Sequence, residues 1–284
     1  MKNKRYGENI IYWVMRSVTY LVVLAIAYII IDIVIKGLPA ISWEFLTGEP
    51  RKSGAEGGIF PAIIGTLYLV IGTIVVALPL GMFSAIYLTE YAKQSRLTKT
   101  IRLSIVTLAG VPSIVFGLFG MGLFVIFFGF GASILAGSIT LACMILPTII
   151  VSSEEALKSV PQYMREGSLA LGATKWQTIY KNVLPYALPG MLTGSILGVG
   201  RAAGETAPIL LTAAAFFLPG LPSSVFDQVM ALPYHLFILA TQHPDAQKIL
   251  PMQYGTALVL LILVVGLNLI AIIFRIRIRK KYKW

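Results

Sequence analysis

Six apolar runs, each near the length that crosses a bilayer, narrow what this chain can become more than anything else in it. They fall near residues 17–36, 60–88, 103–128, 132–152, 187–215 and 254–275. A spanning helix takes about 20 apolar residues. In lipid every backbone N–H and C=O must be satisfied inside the span, so runs of this length are expected to be helices. The expectation is an all-α integral membrane protein of six helices. Charged residues make up 12% of the chain, where a soluble domain carries about 25%. The second and fifth runs are long enough to tilt or to project from the bilayer.

Orientation follows from where the basic residues lie. With the N-terminus inside, the inner flanks hold Lys2, Lys4, Arg5, Arg16, Lys93, Arg96, Lys99, Arg102, Lys158, Arg165, Lys175, Lys181 and the six basic residues from Arg275 to Lys283. The outer flanks hold only Lys36, Arg51, Lys52 and Lys248, and Arg201 lies within a span. Both termini are therefore expected in the cytoplasm. The net charge of +11 is absorbed by this inner-face bias, so it calls for the lipid bilayer as partner and for no nucleic acid. The basic tail, 276–284, reads as an anchor near anionic lipid. The first run is too long for a signal-peptide core and no small-residue cleavage pattern follows it, so it reads as a retained span. The chain divides into a first helix with its outer loop (1–58), a core (59–275) and that tail.

Little in the sequence points to chemistry. No phosphate-binding Gly-x-x-x-x-Gly-Lys-Ser/Thr loop occurs, so the chain is expected neither to bind nor to hydrolyse ATP. Cys143 stands alone in an apolar run and reads as a small buried residue. His235 and His243 lack the spacing of a metal site and read as interfacial or solvated side chains. The outer segment 37–59 reads as a loop. In 216–253 the runs Val225–Leu232 and Pro233–Ala240 are too short to span and are expected at the interface, broken by Pro233.

The fifth run carries the most expensive residues. Arg201 and Glu205 are four apart, hence on one helix face. A charge at mid-bilayer costs about 2.5–3.5 kcal/mol on insertion scales, and such residues usually face a bundle interior or a water-filled path. A guanidinium offers a planar fork of donors that matches an oxyanion. Glu205 would hold Arg201 and balance its charge; a structural ion pair is the other reading. Ser195 and Thr206 are cheaper candidates for the same lining. Gly190, Gly194 and Gly198 recur every four residues, with Gly200 and Gly204 on another face. That spacing lets helices approach closely, either within this bundle or against a second subunit. Asp32 and Lys36 read as an i,i+4 pair at the outer end of the first span.

Between the fourth and fifth runs lies a polar stretch, 153–186. Ser159 with Gln162, and Thr174 with Gln177, are capping-box patterns. Gly172 is placed to end the first of two short helices in a left-handed conformation. From Glu166 to Pro185 the stretch resembles the EAA loop of ABC-importer permeases: Glu166, Gly172, Leu184 and Pro185 are in register. Gly167 and Ser168 replace the usual Ala-Ala, and Asn182 replaces the usual Ile. Gly58–Leu67, Gly110–Gly120, Arg201–Pro208 and Ala231–Leu236 further resemble the phosphate permeases of that class over roughly residues 55–275.

The resemblance implies a six-helix type I ABC-importer permease fold in a bacterial or archaeal cell membrane, and a phosphate importer working by alternating access. It implies four partners: a homologous PstC-like permease, a dimer of PstB-like ATPase subunits that bind ATP and Mg, and an extracytoplasmic PstS-like phosphate-binding protein. Arg165, Glu166, Gly167, Ser168, Gly172, Ala173, Leu184 and Pro185 would couple the chain to the ATPase, and Arg201 with Glu205 would stand on the phosphate path. A permease for sulfate, molybdate or phosphonate, or a membrane component mainly of phosphate signalling, stays open as an alternative.

Overall fold

The computed structural model describes residues 2–51, 56–218, 220–242 and 249–281. Helix α1 spans Lys2–Gly37 and is followed by a 3₁₀ turn at Leu38–Ala40, helix α2 (Trp43–Thr47) and the two-residue strands β1 (Pro50–Arg51) and β2 (Glu56–Gly57). The long helices α3 (Phe60–Ile86), α6 (Ile134–Lys158), α9 (Leu184–Gly204) and α12 (Leu250–Lys281) follow. Between them lie α4 (Arg96–Leu108), α5 (Ser113–Gly120), α7 (Gln162–Ala170), α8 (Lys175–Thr178), α10 (Ala207–Thr212) and α11 (Leu232–Thr241). Five of these elements are long and apolar enough to cross a membrane alone.

The third expected span is not one rod. α4 and the helix from Ser113 to Phe127 meet at 106°. The sequence at the elbow explains the bend. Pro112 has no N–H to continue the ladder, and Gly110–Val111 close instead as tight turns onto Thr107 and Leu108. The fifth expected span also stops early. Pro208 leaves the Gly204 carbonyl without its donor four residues on, and the chain is extended at Glu205 (ψ 132°) before α10 begins.

α6 is the central helix. Leu69 and Ala77 of α3, and Leu141, Met144, Ile145 and Ile149 of α6, form the largest buried cluster. Small residues set the spacing: Gly72 of α3 packs on Ser138, and Gly81 on Ile149. The first turn of α6 has three donors that an isolated helix would leave orphaned. Ser133, Ile134 and Leu135 N–H groups donate to the carbonyls of Thr212, Asp227 and Val225, at 2.9 Å each. Thr212 and the segment 220–231 therefore cap α6 at this end.

That seating corrects the expectation for the outer segment. Val229, Met230 and Ala231 are buried and lie outside any helix, Leu232 is buried at the start of α11, and Pro233 sits in the first turn of that helix instead of breaking a run. Proline in the first turn of a helix loses nothing, because the N–H groups of that turn have no partner within the helix. The expected loop at 37–59 holds α2, whose Ser42 cap accepts from the Phe45 N–H and whose Phe45 is buried. His243 and Lys248 lie outside the described residues.

α1 leaves most of its large side chains from Ile11 to Ile35 exposed. It meets the rest of the chain near its end, where Gly37 packs on the Tyr254 backbone of α12. The Asp32–Lys36 pair forms at 2.7 Å, and the Lys36 ammonium also reaches the Tyr254 hydroxyl at 3.3 Å.

Candidate functional site

Two sites emerge, one on α9 and one on the hairpin of α7 and α8. On α9, Arg201 Nε stands 3.0 Å from Glu205 Oε1. The pair forms as expected, although Glu205 is one residue past the helix end and reaches back to it. Arg201 sits in the last turn of α9, where a cation also meets the negative end of the helix dipole. Glu205 is 18% exposed and Arg201 42%. Among the described residues the two terminal guanidinium nitrogens of Arg201 donate to nothing. They project from a face formed by Leu197, Arg201 and Gly204, all exposed, and a side chain at Gly204 would meet only open space.

Ser195 is not on this face. It is 3% exposed and its hydroxyl donates to the Met191 carbonyl of its own helix, so its assignment to the solute path is corrected. Six residues from Arg201 put it on the buried side of α9. Thr206 does stand beside the pair, partly exposed. The glycines divide. Gly190 packs on Ala156, Gly194 on Ser152 and Gly198 on Ile145 and Ile149, all of α6, while Gly200 meets Asn268 of α12. Four of the five serve packing inside this chain, and only Gly204 is left on the open face.

The hairpin is built by its caps. Thr174 and Gln177 form the reciprocal capping box. Gly172 has φ +84°, and the Gly172 and Ala173 N–H groups donate to the Leu169 and Ser168 carbonyls, which is the Schellman arrangement. The first capping box does not form. Pro161 is the residue before α7, with no side-chain cap, and the Ser159 hydroxyl donates to the Ala156 carbonyl of α6 instead. Ser168, which stands where alanine is usual, lies 3.0 Å from the Thr178 hydroxyl and ties the two arms together. Leu184 and Pro185 begin α9 directly after a π-helical turn at Ile179–Val183.

The hairpin surface is unusual for a polar loop. Tyr163, Leu169, Leu171, Trp176 and Tyr180 are exposed, Leu171 by 90%. Glu166 and Gly167 are exposed beside them, and a side chain at Gly167 would meet nothing within 4 Å. Grouped apolar side chains of this size on a surface mark an interaction site. Arg165 differs from its neighbours. It is inward-facing and ion-paired to Glu90 at 2.8 Å, a partner the sequence reading missed. The signal was a carboxylate at the end of a span, inside a flank read only for its basic residues.

Elsewhere, His235 departs from its expected solvation. It is 1% exposed, stacked on Phe216 with ring centroids 5.4 Å apart, and both ring nitrogens lack a partner among the described residues. Burial pushes its pKa down to about 4. Among the described residues no group of three or more His, Cys, Asp or Glu is placed to hold a metal.

Comparison with known proteins adds the following. Residues 77–284 match the family model for the binding-protein-dependent transport system inner membrane component. The chain is 36% identical over 259 residues to a protein of Methanocaldococcus jannaschii named probable phosphate transport system permease protein PstA, covering 90% of this chain and 89% of that one. It is 34% identical to the probable ABC transporter permease protein YqgI of Bacillus subtilis, covering 84% and 85%. Against the phosphate transport system permease protein PstA of Mycobacterium leprae it is 38% identical, covering 77% and 71%. Among solved structures, a bacterial alginate ABC transporter in complex with alginate pentasaccharide-bound periplasmic protein has a chain that superposes with TM-score 0.65. The identity is 12%, and 91% of this chain and 92% of that one are covered. A chain of the inward-facing MetNI methionine ABC transporter gives TM-score 0.58 at 18% identity, covering 78% and 94%.

Proposed function

Because the chain belongs to the family of binding-protein-dependent transport system inner membrane components, we propose that it is the membrane permease subunit of an ATP-driven phosphate importer. It is a multi-pass protein of the cell membrane and a transport subunit. The relatives named PstA support phosphate as the solute. The observation that carries this reading is Arg201, a guanidinium in the last turn of α9 whose two terminal nitrogens have no partner among the described residues. A fork of N–H donors in a low-dielectric path is what a tetrahedral oxyanion needs in order to shed water there. Glu205 holds the fork in place when no solute is present.

The open face of α9 is completed by the second, PstC-like permease, which closes the path around Arg201. The exposed apolar hairpin around Glu166 and Leu171 docks on a PstB-like ATPase, which holds the Mg-ATP and carries out hydrolysis. A PstS-like binding protein delivers phosphate at the opposite end, where segment 213–231 lies. With the hairpin in the cytoplasm, closure of the ATPase dimer moves the hairpin and the path opens outward; hydrolysis resets it.

The test is uptake of labelled phosphate by proteoliposomes holding the four-component complex, with sulfate and molybdate as competitors. Uptake that needs internal or external ATP on the hairpin side, and that neither competitor suppresses, is the expected result. Uptake of sulfate or molybdate in place of phosphate would keep the permease and overturn the solute.

A further inference from the structure

The second long helix ends in a carboxylate that the transport path does not use. Glu90 lies in a π-helical turn, Tyr87–Tyr91, directly after α3. Its side chain is 8% exposed and meets Arg165 of α7, 14% exposed, with Nη2 2.8 Å from Oε1 and Nε 3.4 Å from Oε2. The same guanidinium donates from Nη1 to the Val160 carbonyl at 2.7 Å and from Nη2 to the Leu157 carbonyl at 2.9 Å. One side chain of the hairpin thus grips the ends of two long helices at once.

Stability alone does not account for such a pair, because burying two charges costs about as much desolvation as their attraction returns. Connectivity gives it a purpose. The hairpin is joined by the chain itself to α6 through Ser159–Pro161 and to α9 through Ile179–Val183. α3 has no such link, and 75 residues separate Glu90 from Arg165. Apolar contacts of Ala85, Ile86 and Leu88 with Leu157, Ile179 and Val183 also join these elements, but an apolar surface slides where a charged fork does not. Of the three long helices that meet the hairpin, α6 stays α-helical to Lys158, while α3 and α9 depart from α-helix there, at Tyr87–Tyr91 and Ile179–Val183, and π turns recur at functional positions. A cavity of about 600 Å³, lined by Glu90, Lys158, Arg165 and Lys175, opens beside the pair and leaves room for movement. At its other end α3 holds the cap segment. Gly65 packs on the Met230 carbonyl, and Thr66 Oγ1 accepts from the Leu232 N–H at 2.9 Å.

We infer that the Arg165–Glu90 pair is the joint through which the hairpin drives α3, and through α3 the Met230–Leu232 segment that closes the far end of the bundle. The inference rests on the hairpin being the ATPase-coupling element. Arg165 and Glu90 are positioning residues; neither meets the solute. The test uses the four-component complex in proteoliposomes and two readouts. The first is phosphate moved per ATP hydrolysed, a ratio that loss of assembled complex leaves unchanged. Glu90→Gln is expected to lower it on the order of tenfold, within the usual span of coupling between sites. Arg165→Gln, which removes the charge from the other side of the pair, is expected to lower it as far, and Glu90→Gln with Arg165→Gln no further than either alone. An unchanged ratio in Glu90→Gln would overturn the inference, as would single losses that add in the double variant.

The second readout needs neither phosphate nor a change to the pair. Spin labels at Gln162→Cys on α7 and Phe83→Cys on α3, in a Cys143→Ala background, should keep one distance with and without ATP. A distance that changes with ATP would show α3 moving apart from the hairpin and would overturn the joint. Failure of wild type to move phosphate would sink the functional reading alone, and the label distances would still decide this one.

Discussion

His235 shows how a single residue escapes a sequence reading. A histidine in a short apolar run looks interfacial, yet here the ring lies flat on Phe216 and is sealed from water. Burial disfavours its charged form, so the folded pKa is about 4, while an unfolded histidine titrates near 6.5. Between those values the unfolded chain binds more protons, so stability is full above about pH 6.5 and falls as pH drops toward 4. The linked loss is about 3 kcal/mol at full protonation. Asp227, the other perturbed group of this region, is held below the usual carboxylate range by the N–H groups of Ser224 and Ser223 and the Ser223 hydroxyl, so it does not titrate in that window. His235→Phe keeps the stacking and removes the proton site. Thermal melts in detergent from pH 7 to 4.5 should show the acid slope in wild type and a flatter profile in the variant; equal slopes would place the acid sensitivity elsewhere. Gly172 is the opposite case, legible because only its backbone matters. A Cβ there would meet nothing within 4 Å, so Gly172→Ala carries only the left-handed penalty of about 1–2 kcal/mol. Hydrogen exchange at the Gly172 and Ala173 amides should speed up about tenfold, with the rest of α7 unchanged.

At the scale of elements, apolar length located the spans and prolines decided their continuity. Length alone does not say that Pro112 and Pro208 stop two of them, because a proline inside a span is often only a kink, as Pro147 is within α6. The glycine repeat on α9 was visible in the sequence, but its partner was not. Spacing is identical whether the facing helix belongs to this chain or another, and only the fold assigns Gly194 to Ser152 and leaves Gly204 free. Gly194→Val should therefore overpack the α6–α9 contact and cost about 1–3 kcal/mol, seen as a lower melting temperature of the purified chain. Gly204→Ala should leave that temperature where it is. The two capping boxes make the same point from the other side. The second forms because Thr174 directly precedes α8, and the first does not because Pro161, not Ser159, directly precedes α7 while the Ser159 hydroxyl bonds back to the Ala156 carbonyl of α6.

For the whole molecule, the fold class and the hairpin were readable because hydropathy and turn chemistry are local. What joins distant segments was not. The cap of α6 by Thr212, Val225 and Asp227 and the grip of Arg165 on Glu90 depend on pairings that no window of sequence contains. The account that results has one anion path on the open face of α9, driven from a hairpin at one end and capped at the other. The measurement that tests it most directly is ATP-dependent phosphate uptake by the four-component complex carrying Arg201→Gln, set against wild type at equal amounts of assembled complex. If Arg201 lines the path, uptake should fall by at least about 100-fold, near the loss of a charge-assisted contact in a desolvated site. Uptake equal to wild type would contradict the account and reduce Arg201 and Glu205 to an ion pair that ends a helix.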